Sequence, residues 1–188
     1  MTMTTLHIKN MVCDRCKKVI RDEVQSLGVE VIDLELGKLV INADQVDIQK
    51  IGDVIRRNGF ELIEDEEIAL IEKIKLFLLS MINRLPMQRK EKLSVLLSKE
   101  MNKDYSSLSK LFSRNEHITL EKFFLKLKLE KAKELIQENK YSFSEIADLL
   151  DYANSNHLAK QFKEATGMSM TEYKKSSYWG RKPLDKII

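Results

Sequence analysis

Proline occurs only twice in these 188 residues, and cysteine only twice. So little proline, beside 32% charged residues, argues against long disordered tracts away from the ends. Two cysteines cannot build a disulfide framework; in a reducing compartment a close pair is more often a metal site or redox pair. No apolar run approaches the ~18 residues of a spanning helix; the richest, residues 74–82, is interrupted by Lys75. The chain does not open with a basic segment followed by an apolar one, so no export signal is expected, and a cytoplasmic location without a membrane partner follows. There is no glycine-rich phosphate loop, and three scattered histidines form no nucleophile–base arrangement. An enzyme is the least expected class.

What is present is divided unevenly. Residues 1–66 hold nine Lys/Arg against thirteen Asp/Glu, a balance of −4, whereas residues 67–188 hold twenty-three against sixteen, a balance of +7. A basic half suits a polyanion, although a basic surface also serves solubility.

Residues 4–9 alternate Leu6 and Ile8 with polar neighbours, which predicts a strand. A loop over 10–15 leads to a helix near 16–27, with Val19, Ile20, Val24 and Leu27 on one face and Gly28 at its end. Residues 29–36 and 38–42 predict strands joined through Gly37. Asp44 or Asp47 caps a second helix carrying Ile48, Ile51, Val54 and Ile55; Asn58 and Gly59 close it, and residues 60–63 supply a last strand. The order β-α-β-β-α-β predicts a ferredoxin-like α+β domain over residues 1–66.

That order, with Asn10-Met11-Val12-Cys13-Asp14-Arg15-Cys16 after the first strand, resembles the heavy-metal-associated domains of metallochaperones and metal-pumping ATPases. The resemblance implies that Met11 tucks under the loop, that Phe60 shields the site, and that Asn10 stands where the family has glycine, a change asparagine tolerates. The chemistry agrees. A helix start and the neighbouring Arg15, Lys17 and Lys18 favour thiolates at Cys13 and Cys16. Two soft thiolates suit Cu(I) or another thiophilic ion; Zn(II) wants four ligands, so Asp14, His7 or a second subunit would have to help. A reversible disulfide and a pair kept without use are the other readings.

Residues 64–67 form an acidic start to a linker helix over 67–86. Ile71, Ile74, Leu78 and Ile82 make one stripe on it, and Leu70, Phe77 and Met81 a second. A helix with two apolar faces packs between its own domains or pairs with a second copy in a homodimer.

From Lys92 the pattern is helical. Leu93, Leu96 and Leu97 share a face; Asp104 caps a helix over 105–114 with Leu108, Leu111 and Phe112 inward. A long helix follows Thr119. Residues 142–145 and 169–172 are capping boxes, and between them a helix near Ser144 and a helix from Ser155, which buries Leu158 and Phe162, flank a turn. The prediction over 87–175 is an all-α domain of two helix-turn-helix units joined by one long helix, a layout that places each second helix in a major groove.

These segments resemble the DNA-binding domain of the AraC/XylS family of bacterial transcription regulators: residues 108–112 (LSKLF), 127–135 (LKLEKAKEL), 144–147 (SEIA), His157-Leu158, Gln161-Phe162-Lys163 and 167–173. The resemblance implies double-stranded DNA as partner, with Tyr105, Ser106, Ser107, Ser109 and Lys110 in the first recognition helix and Asn154, Ser155, Asn156, His157 and Lys160 in the second. Asn reads adenine, Ser either kind of edge, and Lys guanine or phosphate. Arg114, Lys128, Lys131, Lys163 and Lys174 read as phosphate contacts or plain solvated charge. Asp151 and His117 stand where the family has glycine, and both are expected at positive φ. Asp151 is also expected to repel phosphate and weaken the second unit. The tail, 176–188, has no period and is expected to be flexible unless Trp179 or the terminal isoleucines dock.

The leading expectation is a metal-responsive regulator that changes DNA affinity or RNA polymerase recruitment. A thiol-redox regulator is the alternative, as is a metallochaperone-like protein whose C-terminal domain docks a protein partner.

Overall fold

Alternating apolar residues form strands in the first third of the chain and helical spacing takes over beyond it. The computed structural model describes residues 3–42, 46–87, 91–176, 180–184 and 187, and the chain divides into two compact units, 1–76 and 77–187. No helix among the described residues is long and apolar enough to cross a membrane.

In the first unit, β1 (Met3–Lys9), α1 (Asp14–Ser26), β2 (Val31–Glu35), β3 (Lys38–Asn42), α2 (Ile48–Arg57) and β4 (Glu61–Ile63) follow the expected order. The sheet runs β2-β3-β1-β4, with every neighbouring pair antiparallel. Ile8, Leu39 and Ile41 from the sheet meet Ile20 and Val24 of α1 and Ile51 and Ile55 of α2 in one buried cluster. Asp47 caps α2, accepting from the backbone N–H of Gln49 and Lys50; Asp44, the other candidate, lies outside the described residues. One boundary moves with consequence: α1 begins at Asp14 rather than near Cys16, so Cys13 is its N-cap residue and Cys16 lies in its first turn.

Helix α3 (Glu66–Asn83) follows. Ile71, Ile74, Leu78 and Ile82 are fully buried, and Leu70, Phe77 and Met81 are half-buried. Lys75, between the stripes, is also buried and pairs with Glu72 one turn earlier at 2.9 Å. Burying a charge without a partner is costly, and this pairing offsets it.

The second unit holds α4 (Leu93–Met101), α5 (Tyr105–Glu116), α6 (Leu120–Glu138), α7 (Phe143–Leu149), α8 (Ser155–Thr166) and α9 (Met170–Lys175). It repeats itself at an offset of fifty residues. The N-caps Lys92, Asp104 and Thr119 recur as Ser142, Asn154 and Ser169. The left-handed C-cap His117, φ 56°, recurs as Gly167, φ 76°. Even the core is copied: Phe112 meets Phe123 edge-on at 5.3 Å between ring centres, and Phe162 meets Tyr173 in the same manner at 5.3 Å. Both capping boxes form with reciprocal bonds. Asp151 adopts φ 55°, so both non-glycine turns take the expected conformation.

The tail departs from expectation where it is described. The backbone N–H of Lys182 donates to Glu130 of α6 at 2.9 Å, and Arg181 pairs with Glu134 at 3.4 Å. Two acidic side chains on α6 thus hold residues 181–182. Trp179 and Ile188 lie outside the described residues.

Candidate nucleic-acid interface and thiol pair

Helices α5 and α8 occupy equivalent places in the two repeats, each twelve residues long and each with a capped N-terminus. A buried leucine and phenylalanine at i, i+4 seat each one: Leu108 and Phe112 in α5, Leu158 and Phe162 in α8. Seating that stripe turns the rest of each first turn outward. Ser106, Ser107 and Lys110 of α5 are exposed, with Tyr105 and Ser109 partly so. Asn154, Asn156, His157 and Lys160 of the second unit are exposed, and Ser155 partly so. Lys110 and Lys160 fall fifty residues apart at one repeat position. Unsatisfied N–H groups and the helix dipole give each N-terminus a positive character that suits phosphate.

Several of these side chains are already engaged. The Asn154 oxygen accepts the backbone N–H of His157 at 2.9 Å. Ser106 donates its hydroxyl to Asp104 at 2.7 Å. Ser107 and Ser106 together hold the Asp104 carboxyl well below the usual carboxylate range. The Tyr105 phenol donates to Glu121 in the first turn of α6; burial first, then Glu121, push that phenol well above its ordinary range, and the same bond lowers Glu121. Sequence reasoning missed Glu121 altogether. Its signal was a carboxylate in the first turn of the helix that follows α5.

The basic residues expected near phosphate divide. Arg114, Lys163 and Lys174 are exposed; Ser169 first, and then Lys163, hold the Glu172 carboxyl below its ordinary range, and Lys174 lies 6.0 Å from the ring centre of Phe143. Lys131 is drawn to Glu134 at 2.5 Å, with only 13% of its side chain exposed. Lys128 is not a surface charge. It is 7% exposed, its ammonium 3.7 Å from the ring centre of Tyr152 and 3.5 Å from the carbonyl oxygen of Asp151. The helical period that buries Leu127 and Leu129 carries Lys128 inward with them. Tyr152 itself is a residue that sequence reasoning passed over. Its ring meets His157 edge-on at 5.5 Å, its hydroxyl is buried without a hydrogen-bond partner among the described residues, and burial pushes the phenol up to about 12.

In the first unit, β1 is followed by Asn10, φ 68°, whose Nδ2 donates to the Gly59 carbonyl at 3.1 Å. That bond ties the cysteine loop to the turn before β4. Met11 is 1% exposed and Phe60 8%, so the methionine enters the core as expected. Both cysteines are unbridged and partly buried, their sulfurs 3.3 Å apart. The backbone N–H of Cys16, then that of Arg15, face the Cys13 sulfur without reaching full capping geometry, and they lower its thiol below the ordinary range. Among the described residues no group of three or more His, Cys, Asp or Glu side chains converges as a metal site. His7 is exposed in mid-strand, opposite Ile63 and Lys38.

Residues 97–176 match the family model described as a helix-turn-helix domain. Among relatives, the Msm operon regulatory protein of Streptococcus mutans is 24% identical over 79 residues, which cover 42% of this chain and 28% of that protein. The match therefore spans under a third of the relative's length. Solved structures of similar form include the C-terminal domain of AraT, a response regulator from Geobacillus stearothermophilus, at 21% identity and TM-score 0.49 over 58% of this chain and 89% of that one. Another is a transcriptional regulator with an AraC-type DNA-binding domain from Chromobacterium violaceum, at 16% identity and TM-score 0.47 over 56% and 96%.

Proposed function

We propose that this chain is a DNA-binding transcription regulator of AraC type, reading double-stranded DNA with α5 and α8 and responding to a thiophilic metal ion at Cys13 and Cys16. The observation that carries the first part is the fifty-residue repeat. Two helix-turn-helix units with matching caps and matching aromatic pairs each present a polar, dipole-positive helix start. A single such unit is a weak signal, but a duplicated one on a shared long helix suits two successive major grooves. Base-reading falls to Ser109, Lys110, Ser155, Asn156, His157 and Lys160, since Tyr105, Ser106, Ser107 and Asn154 are engaged within the fold. Footprinting of the full chain on the duplex it selects from a randomised pool tests this. Two protected patches about one helical turn apart are expected; one patch, or none, contradicts it.

The thiol pair supports the second part. Two sulfurs 3.3 Å apart at a helix start, with the Cys13 thiol lowered, are suited to a soft ion that accepts two thiolates, so Cu(I) fits better than Zn(II). Cys13 and Cys16 would hold the ion, and the Asn10–Gly59 bond would keep their loop in place. The ion would supply charge neutralisation of the paired thiolates. Equal Cu(I) uptake by the wild-type chain and by Cys13→Ser with Cys16→Ser would sink this reading. The same sulfur separation favours one second reading, a reversible disulfide, in which oxidant alone, with metal excluded, changes DNA affinity. The half-buried stripe Leu70, Phe77 and Met81 on α3 is the face through which a homodimer would form, and RNA polymerase is the further partner such a regulator would engage.

A further inference from the structure

Helix α6 shares an apolar core with each reader, and beside the second it adds a charged contact. Near its start, Phe123 packs on Phe112 of α5. Little more than one turn later, Lys128 reaches the turn before α8, where its ammonium lies over the Tyr152 ring at 3.7 Å and contacts the Asp151 carbonyl at 3.5 Å. An apolar contact tolerates some sliding, whereas a cation over a ring face in a dry setting has a defined position. At the first unit's own turn Asn102 takes the left-handed conformation.

The setting explains why a charge is used. Asp151 holds φ 55° without being glycine, a conformation that costs some energy and that a neighbouring constraint helps to hold. A buried ammonium on its carbonyl is such a constraint. Tyr152 contributes its ring face to Lys128 and stands nearly perpendicular to the His157 ring at 5.5 Å, while its hydroxyl bonds to nothing among the described residues. The tyrosine is therefore held through its ring. A continuous line of contacts runs from α6 through Tyr152 to an exposed side chain in the first turn of α8.

We infer that Lys128 is a positioning residue of the second reader, fixing the turn at Asp151–Tyr152 and through it the orientation of His157, rather than touching DNA itself. The inference rests on the DNA-binding reading for its consequence, but its structural half does not. Lys128→Met, Lys128→Arg and wild-type full-length chains are compared by amide hydrogen exchange without DNA, then by titration with the wild-type-selected duplex and with a random-sequence duplex. In Lys128→Met, exchange over residues 152–158 is expected to quicken at least tenfold while residues 104–108 keep wild-type protection. Protection of the selected duplex by α8 is expected to fall about tenfold, the salt slope on random duplex to stay unchanged, and Lys128→Arg to restore both. A direct phosphate contact would instead lower the salt slope by about one, and that result overturns the inference. Unchanged exchange in Lys128→Met overturns it as well. Should that variant melt the whole unit, Tyr152→Leu, which removes the ring and keeps an apolar side chain, carries the same comparison. If wild type selects no duplex, the DNA reading fails while the exchange result still decides whether Lys128 orders the turn.

Discussion

Phe162 of α8 meets Tyr173 of α9 edge-on, ring centres 5.3 Å apart and planes at 72°. Fifty residues earlier Phe112 and Phe123 make the same contact at 61°. Each pair pins α5 or α8 to the helix that follows it. Phe112 and Phe162 are both fully buried, and truncating a buried Phe to Ala costs about 3–5 kcal/mol through lost burial and the cavity left behind. Phe112→Ala and Phe162→Ala are each expected to lose that much in urea unfolding of the full chain. A loss below about 1 kcal/mol in either would mean that the repeat does not use its aromatic pair for stability.

Tyr152 makes a prediction of opposite sign. Its hydroxyl is buried and unpartnered among the described residues, and leaving such a group unsatisfied costs about 1–3 kcal/mol. Tyr152→Phe keeps the ring under Lys128 and removes the hydroxyl. It is expected to raise the denaturation midpoint, with a gain of about 1 kcal/mol. A clear loss would show that the hydroxyl is satisfied in solution.

Acid should destabilise the helical unit through its caps. Asp104 is held below the usual range by Ser107 and Ser106, Glu145 by Ser142 and Glu172 by Ser169. Each binds its proton more weakly folded than unfolded, so its stabilisation is complete above the unfolded value, about 4, and is lost as pH falls through the lower folded value. Melting temperature measured from pH 7 downward should be flat, then drop below about pH 4. Asp104→Asn keeps a capping oxygen that cannot titrate, and its acid-side drop should be shallower than that of wild type.

Cys13 should alkylate faster than Cys16 at neutral pH, because backbone N–H groups at the start of α1 lower its thiol. Mass spectrometry after brief iodoacetamide treatment separates the two. Equal rates, or faster loss of Cys16, would contradict the lowered Cys13 thiol.

Much of this was legible beforehand because local rules and packing agree. Asp104 as a cap, the boxes at 142–145 and 169–172, and positive φ at His117 and Asp151 all follow from side chains acting on their own backbone. What the sequence hid lies between elements. A lysine in a basic helix reads as solvated, but Lys128 lies between the buried Leu127 and Leu129, and the turn at 151–152 packs over it. Tyr105 reads as a base contact until Glu121, sixteen residues on, takes its hydroxyl. The tail reads as flexible until Glu130 and Glu134 accept residues 181 and 182. Periodicity assigns a residue to a face, but its partner across the fold comes from tertiary contacts that no local pattern carries.

Electrostatic binding of duplex DNA by the duplicated helical unit is the central claim to test. Affinity of the full chain for the duplex it selects, measured by fluorescence anisotropy from 50 to 300 mM salt, should fall linearly on a log–log scale with a slope near −0.9 per neutralised phosphate. Lys110→Ala and Lys160→Ala should each weaken binding, and whichever of them meets phosphate should reduce that slope by about one. No salt-dependent binding even at the lowest salt would contradict the account and favour a helical unit that docks a protein partner.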